Sequence, residues 1–211
     1  MLAAASMLPD LWRMVERRAR LGSRHFRVPD AHHLPTSAVR GLTHHLETDR
    51  WFHDDAFFTE GEALTVRAMQ SAGVTSEKMV LFAHPLWELA LDGALIRREG
   101  LATMLRTLED AHRRIGGAEG RALAEHVGLT QLLPDAHARD AFDAKLESLW
   151  AALIEGPWLT AYTSPGGLAE CIVRMRQRVG VSALMHKDRE RLEQAIATLE
   201  PLADHALARR S

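Results

Sequence analysis

The stretch TSEKMVLFAHPLWELALDGALIRREG, residues 75–100, decides the fold class of this chain. It is strongly apolar in the middle and shows no strand-like alternation of apolar and polar residues. We predict a helix that Thr75 caps and that runs to Arg98, with Gly100 where a C-terminal glycine is expected. Pro85 removes one backbone hydrogen bond, so it either kinks this helix or marks its true start.

The rest of the chain is also predicted to be helical. No strand-like alternation of useful length, no internal repeat and no linker between domains is evident in the sequence. We therefore predict one compact all-α domain over residues 1–211, a multi-helix bundle with a loop at about Gly22–Pro35 and a kink at Pro201. The other predicted helices span about Pro9–Leu21, Ser37–Asp55, Glu60–Ser71, Leu101–Ile115, Ala118–Val127, Ala138–Ile154, Gly167–Val179 and Arg189–Arg209.

Composition narrows the functional classes. The formal net charge of −2 gives no reason to expect a nucleic acid or an acidic membrane as partner. Cys171 is the single cysteine, which excludes an intrachain disulfide and a Cys-rich zinc module. The apolar opening, residues 1–6, is too short for a membrane span and lacks the basic start of a signal peptide, and no apolar run of spanning length is evident elsewhere. We expect a cytoplasmic protein with no membrane partner.

Histidines and carboxylates recur at four-residue spacing in two of the predicted helices. His45 and Asp49 stand one turn apart, and so do His84 and Glu88, while His53 extends the first series. Residues four apart lie on one face of a helix. If the two helices pack side by side, four ligands for a divalent metal ion meet, with coordination positions left for water and substrate. Asp10 is a further candidate ligand.

Each pair also has a simpler interpretation. His45 and Asp49 can form a surface pair worth a few tenths of a kcal/mol. His84 can be a buried neutral histidine with one backbone partner. Glu88 is more indicative, because an apolar helix face seldom buries a carboxylate without a cation. Asp92, one turn beyond Glu88, is a candidate for orienting a histidine ligand.

Three segments resemble the acyl carrier protein phosphodiesterases, an all-helical family regarded as distantly related to the HD metal-dependent phosphohydrolases. The segments are LPDLWR at residues 8–13, GLTHHLETD at residues 41–49 and AHPLWE at residues 83–88. Their order and rough separations agree with the family, and the resemblance extends weakly to the C-terminal helix. It implies an HD-like helical bundle. The opening segment of the family has no counterpart here, so we expect the chain to start late or to be shorter.

The resemblance also implies an activity, a cofactor and a site. It implies removal of the 4′-phosphopantetheine arm from acyl carrier protein, or hydrolysis of another small phosphodiester, with a divalent ion. Mn²⁺ is the expected ion, with Fe²⁺ and Zn²⁺ as alternatives. Arg13 would offset charge on the phosphoryl oxygens, and His44 or His53 would donate a proton to the leaving alkoxide. The implied metal ligands are Asp10, His45, Asp49, His84 and Glu88.

The chain departs from the family pattern at several of these positions. His84 stands where the family has an acidic residue, Glu88 stands where it has an aspartate, and Leu89 stands where it has a histidine. The leucine favours a second hypothesis, a helical protein that binds a partner without turnover. A third hypothesis is a metalloenzyme that uses histidines and carboxylates for oxidative chemistry with iron. Against it, the spacing is His-x-x-x-Asp and not the Glu-x-x-His of di-iron bundles.

Overall fold

The computed structural model describes residues 2–19, 36–115, 118–133 and 135–209, and every regular element within them is a helix. The prediction of an all-α fold is confirmed. The predicted loop Gly22–Pro35 lies outside the described residues. Two short 3-10 helices span Met79–Phe82 and Leu129–Leu132. The α-helices are α1 (Leu2–Val15), α2 (Thr36–Asp54), α3 (Ala56–Ser71), α4 (Ala83–Glu99), α5 (Leu101–Ile115), α6 (Ala118–His126), α7 (Ala136–Glu155), α8 (Trp158–Ala161), α9 (Pro165–Arg178) and α10 (His186–Ala208).

Helix α1 begins earlier than the sequence predicts. The prediction placed Pro9 in the first turn, but the helix starts at Leu2 and Pro9 lies inside it. The preceding residues include three alanines, the strongest helix formers, and Ala5 and Leu8 are buried. This burial stabilises the added turns and offsets the hydrogen bond that Pro9 cannot donate.

Helix α4 begins later than predicted. Thr75 caps no helix, because the chain passes through a left-handed residue, Lys78, with φ of 61°, and then a 3-10 turn. The α-helix starts at Ala83, so Pro85 falls in its first turn, where the missing N–H has no helical partner to lose. Of the two interpretations of Pro85, the true start of the helix is therefore the one that the structure shows. The helix ends at Glu99, and the next residue, Gly100, has a positive φ of 86°, which favours glycine.

Residue contacts divide the chain into two compact units. The first unit comprises Met1–Phe52 and Leu105–Gly156, and the second comprises His53–Met104 and Pro157–Ser211. Two of the three boundaries fall inside α2 and α5, and the third falls in the short connection between α7 and α8. That the chain behaves as one domain stays a prediction.

The first unit has a core in which α1 packs against α7. The spacing of the buried residues of α1 places them on one helix face, as expected for an amphipathic helix. The buried residues of these two helices include Ala5, Leu8, Leu11, Trp12, Phe142 and Trp150.

The second unit is built around α10, which packs against α3, α4 and α9. Two N-terminal caps lie in its connections: Asp55 accepts from the amide of Phe57 at the start of α3, and Ser164 accepts from that of Gly167 at the start of α9. Leu89 belongs to its core, as does Cys171, and burial raises the pKa of the cysteine thiol. The core residues are Met69, Met79, Phe82, Ala83, Leu86, Leu89, Leu168, Ala169, Cys171, Ile172, Leu192, Ala195, Ile196 and Leu199.

A buried arginine fixes the segment that leads into α4. Arg176 of α9 is fully buried and donates to the carbonyl oxygens of Glu77 at 2.8 Å and Ser182 at 2.7 Å. Its guanidinium also lies over the ring of Phe82, 5.4 Å from the centroid. Desolvation lowers the pKa of Arg176, although Glu77 and Asp188 partly offset the effect. The side chain thus ties the 3-10 turn before α4 to the loop after α9.

One segment of the second unit has the length and composition of a membrane span. Met79–Glu99 contains 21 residues with a mean hydropathy of 1.4, so the sequence analysis was too strict in finding no such run. In the structure, 61% of the most apolar window is buried inside the protein. A core helix can have the same length and composition as a membrane span, and the burial of this segment is that of a core helix.

Candidate metal site

The junction between α2 and α3 brings His53 next to the first turn of α3. Helix α2 ends at Asp54, and Asp55 alone separates it from α3, whose second amide bonds to the Asp55 carboxylate at 2.8 Å. His53, near the end of α2, therefore contacts Phe58 of α3, and their rings meet edge to face with centroids 4.9 Å apart.

His84 and Glu88 approach the same place from α4. The four-residue spacing sets them on one helix face, and His84 Nε2 lies 3.2 Å from Glu88 Oε1. The same carboxylate oxygen is 3.8 Å from His53 Nε2. One potential ligand atom from each of the three residues lies within 4.8 Å of the other two. Among the described residues, this is the group that can hold a metal ion.

Aromatic packing limits how the two histidines can turn. The rings of His53 and His84 are stacked, with centroids 4.9 Å apart and an interplanar angle of 21°. The buried ring of Phe58 contacts both histidines, and its centroid is also 4.9 Å from that of His84. The two imidazoles are thus held by contacts with neighbours before any ion arrives.

Glu62 of α3 is part of the group, although the sequence analysis did not identify it. Its Oε1 lies 2.7 Å from His84 Nδ1. The available signal was weak: Glu62 stands one turn after Phe58 and is adjacent to the buried Gly61, so it is near the buried side of an amphipathic helix. Nothing in the spacing within α3 connects it to a histidine 22 residues later.

The protons of His84 decide what the group can do. A neutral imidazole carries one N–H, and an ionised carboxylate only accepts. With the proton on Nδ1, that nitrogen donates to Glu62, and Nε2, 3.2 Å from a carboxylate oxygen of Glu88, is an acceptor that can bind a metal ion. With a proton on each nitrogen, each can donate to one carboxylate.

Ligand spacing fits a divalent metal ion. Nitrogen and oxygen ligands stand about 2.0–2.2 Å from such ions, so neighbouring ligand atoms are about 3.0–3.5 Å apart. The pair His84–Glu88 meets this spacing, and His53 needs to approach by roughly half an ångström. The side chains of His84, Glu88 and His53 are 45, 39 and 34% exposed, so water can reach the group. With Glu62 it contains two carboxyl groups and two imidazole rings.

The remaining predicted residues lie in the first unit. His45 Nδ1 is 3.9 Å from Asp10 Oδ2, and Asp49 and Arg13 lie within electrostatic range of the Asp10 carboxyl. The side chain of Asp10 is 71% exposed, whereas that of His45 is 17% exposed. His44 and Arg13 are exposed. The structure therefore brings Asp10 and His45 together in one unit and His53, His84 and Glu88 together in the other. That all five predicted ligands share one ion stays a prediction.

The structure also shows the surroundings of Leu89 and Asp92 on α4. Leu89 is buried in the core of the second unit, so the position that holds histidine in the resembled family contributes no ligand here. Asp92, the candidate for orienting a histidine, is exposed and acts on Tyr162 instead. Burial, then Cys171 and Asp92, raise the pKa of Tyr162.

A cleft of about 400 Å³ opens on the neighbouring side of α3 and α4, toward the end of α10. Its apolar walls include Trp87, which directly precedes Glu88, and Phe57, whose ring centroid is 6.1 Å from that of Trp87. Asp55, Glu60 and Arg209 are the charged residues among those that line it. The lining residues are Asp55, Ala56, Phe57, Glu60, Gly61, Leu64, Trp87, Leu202, His205, Ala206 and Arg209.

Comparison of the chain with protein-family models, with curated proteins and with solved structures finds no match in any of the three. The resemblance to the acyl carrier protein phosphodiesterases therefore stays a prediction from three short segments. The candidate site rests on the geometry of its own residues.

Proposed function

We propose that this chain is a cytoplasmic, metal-dependent phosphodiesterase with an HD-like helical fold. One observation supports it above the others: His84 Nε2 and Glu88 Oε1 face each other at 3.2 Å, beside His53. A divalent ion would bind the imidazole nitrogen and the carboxylate oxygen together. A partly exposed position next to buried aromatic residues is also where a substrate can reach such an ion.

The donor set fits several divalent ions. Two imidazoles and one carboxylate suit manganese, iron and zinc, and we expect Mn²⁺, with Fe²⁺ and Zn²⁺ as alternatives. His53, His84 and Glu88 would hold the ion and leave coordination positions open. When bound, a divalent ion lowers the pKa of water and polarises a phosphoryl oxygen, which is the chemistry that phosphodiester hydrolysis requires.

The substrate class comes from the resemblance of the three segments. They support a phosphodiester, and holo-acyl carrier protein is the first substrate to test, followed by small phosphodiesters. Asp10, His45 and Asp49 remain expected ligands, and Arg13 and His44 remain expected catalytic residues. The proposed cytoplasmic location rests on the single, buried cysteine, which suits a reducing compartment.

Metal binding tests the site first. The purified protein is expected to contain close to one equivalent of manganese, iron or zinc by elemental analysis, or to bind it when supplied. His84→Ala should lose this binding, because it removes the central ligand. The matched control is His186→Ala, since His186 and Glu190 form a pair at the same spacing on α10, 3.7 Å apart and exposed. Binding that survives in His84→Ala, or is lost in both variants, contradicts the proposed site.

Hydrolysis tests the function. With Mn²⁺ supplied, the wild type should cleave bis(4-nitrophenyl) phosphate and release phosphopantetheine from holo-acyl carrier protein, and chelation or His84→Ala should abolish both reactions. If metal binds but neither diester is cleaved under any of the three metals, the phosphodiesterase proposal fails and the metal site stands.

A second candidate function is binding without turnover. The observation that favours it is the burial of Leu89 in the core, because the resembled family has histidine there. Under this alternative the protein binds a partner such as a carrier domain, and phosphodiester hydrolysis is absent while partner binding persists with chelator present.

A further inference from the structure

We propose that Glu62 is a positioning residue that fixes His84 in one tautomer, with the proton on Nδ1 and the Nε2 lone pair directed toward Glu88. This inference rests on the proposed metal site for its purpose, but the tautomer itself can be measured without metal. Glu62 is not assigned by any sequence pattern or by the resemblance.

The two carboxylates compete for the same proton. Neutral imidazole in water prefers the proton on Nε2, and in this protein Nε2–H would donate to Glu88. That arrangement would leave Nε2 without the lone pair that coordination needs. Glu62 approaches Nδ1 to 2.7 Å, closer than the 3.2 Å between Nε2 and Glu88. The shorter, charge-assisted hydrogen bond is the stronger one, so it holds the proton on Nδ1.

Helix α3 is well placed to supply this carboxylate rigidly. Glu62 follows Phe58 by one turn, and the buried Phe58 ring packs against both His53 and His84. The side chain of Glu62 is 33% exposed, less than that of His84 itself. One helix thus contributes both the ring that limits rotation of His84 and the acceptor that selects its proton. A carboxylate that orients a histidine ligand in this way is a general feature of metal sites.

The tautomer is tested on metal-free protein labelled with ¹⁵N in histidine. Long-range ¹H–¹⁵N spectra are recorded at about pH 8.5, well above the ordinary imidazole pKa, and His84 is assigned with a His84→Gln variant. The wild type should show the Nδ1–H tautomer. Glu62→Ala should shift His84 toward Nε2–H. Glu62→Gln should retain Nδ1–H, because its amide oxygen still accepts.

Metal affinity is measured on the same proteins with Mn²⁺ and with Zn²⁺. Glu62→Ala should bind about 10–100-fold more weakly than the wild type, with Glu62→Gln between them. Glu60→Ala is the matched control: it removes the same charge from the same helix, but Glu60 is exposed and makes no hydrogen bond that the structure records to either histidine. Circular dichroism checks that each variant is folded. If Glu62→Ala does not fold, the comparison of Glu62→Gln with the wild type serves as the test.

The outcomes separate this inference from the proposed function. A wild-type His84 protonated on Nε2, or on both nitrogens at this pH, overturns the role of Glu62. So does a tautomer that Glu62→Ala leaves unchanged, or an equal loss of affinity in Glu60→Ala. A wild type with the Nδ1–H tautomer that binds no metal supports the role of Glu62 and refutes the metal site alone.

Discussion

His84 has a carboxylate at each of its two ring nitrogens, and the carboxylates come from different helices. Glu88 shares its helix, so the fixed geometry of an α-helix made the pair visible in the sequence. Glu62 belongs to α3, and its contact depends on how α3 and α4 pack. The two carboxylates set the charge around His84, but the four-residue spacing of a helix identifies only the partner on the same helix.

Gly61 is a second residue whose role depends on a partner from another helix. A Cβ atom built at this position would lie 1.9 Å from an indole carbon of Trp87, so the close approach of α3 to α4 requires glycine. We expect Gly61→Ala to lower the free energy of unfolding by about 1–3 kcal/mol, because the indole must move out of its packed position. Urea denaturation measures the change.

The matched control for Gly61 is Gly166→Ala at the start of α9. There the nearest atoms belong to the flexible carboxyl of Glu193, at 3.9 Å, and the backbone is helical. This variant should be unchanged or about 0.5–1 kcal/mol more stable, since alanine restricts the unfolded chain. Equal destabilisation by both substitutions would contradict a specific role for the contact with Trp87, since helix propensity alone favours alanine over glycine.

At the scale of elements, a buried carboxylate joins the start of α10 to the segment between α3 and α4. Asp188 accepts from the hydroxyl of Ser76 at 2.5 Å, from the amide and hydroxyl of Thr75, and from Arg191 at 3.1 Å. This contact explains why Thr75 does not cap α4, since its polar groups are already bound. Burial alone would raise the pKa of Asp188, but these hydrogen bonds more than offset it and the pKa is lowered.

The lowered pKa of Asp188 predicts a dependence of stability on pH. A carboxyl whose pKa is lower in the folded than in the unfolded state contributes stability above its unfolded pKa, about 3.9, and loses it as pH falls through the folded pKa. Asp188→Asn should therefore lower the free energy of unfolding by about 2–3 kcal/mol at pH 7 and reduce the loss of stability at acidic pH. Urea denaturation between pH 7 and pH 3 measures both effects.

Asp110→Asn provides the comparison for Asp188. Asp110 forms an exposed pair with Arg113 on α5, and exposed pairs contribute about 0–1 kcal/mol. Its substitution should change the free energy of unfolding by less than about 0.5 kcal/mol at every pH. If the two asparagine variants behave alike, the buried hydrogen bonds of Asp188 do not govern the position of α10.

At the scale of the whole molecule, the candidate ligands His53, His84 and Glu88 all lie in the second compact unit. A ligand that binds only the folded state stabilises it by about 2.7 kcal/mol at a hundred times its dissociation constant. For a chain of this length, this corresponds to a rise in Tm of about 5–10 °C. We expect such a rise with Mn²⁺ or Zn²⁺ in the wild type and none in His84→Ala.

Hydrogen exchange shows where the added stability lies. A site made by these three residues and Glu62 should slow exchange in peptides from α3 and α4. Peptides from α1 report separately on Asp10 in the first unit. Unchanged exchange in α3 and α4 at saturating metal would contradict a site in the second unit.

The sequence by itself determined the helical class, most helix positions and the pair His84–Glu88. These features depend on periodicity and on spacing within one helix, which local backbone geometry fixes. Only the tertiary structure decided that His53 and Glu62 join His84, that Leu89 lies in the core, and that Thr75 binds Asp188 instead of capping α4. Those contacts join residues on different elements, and their distances follow from how the helices pack.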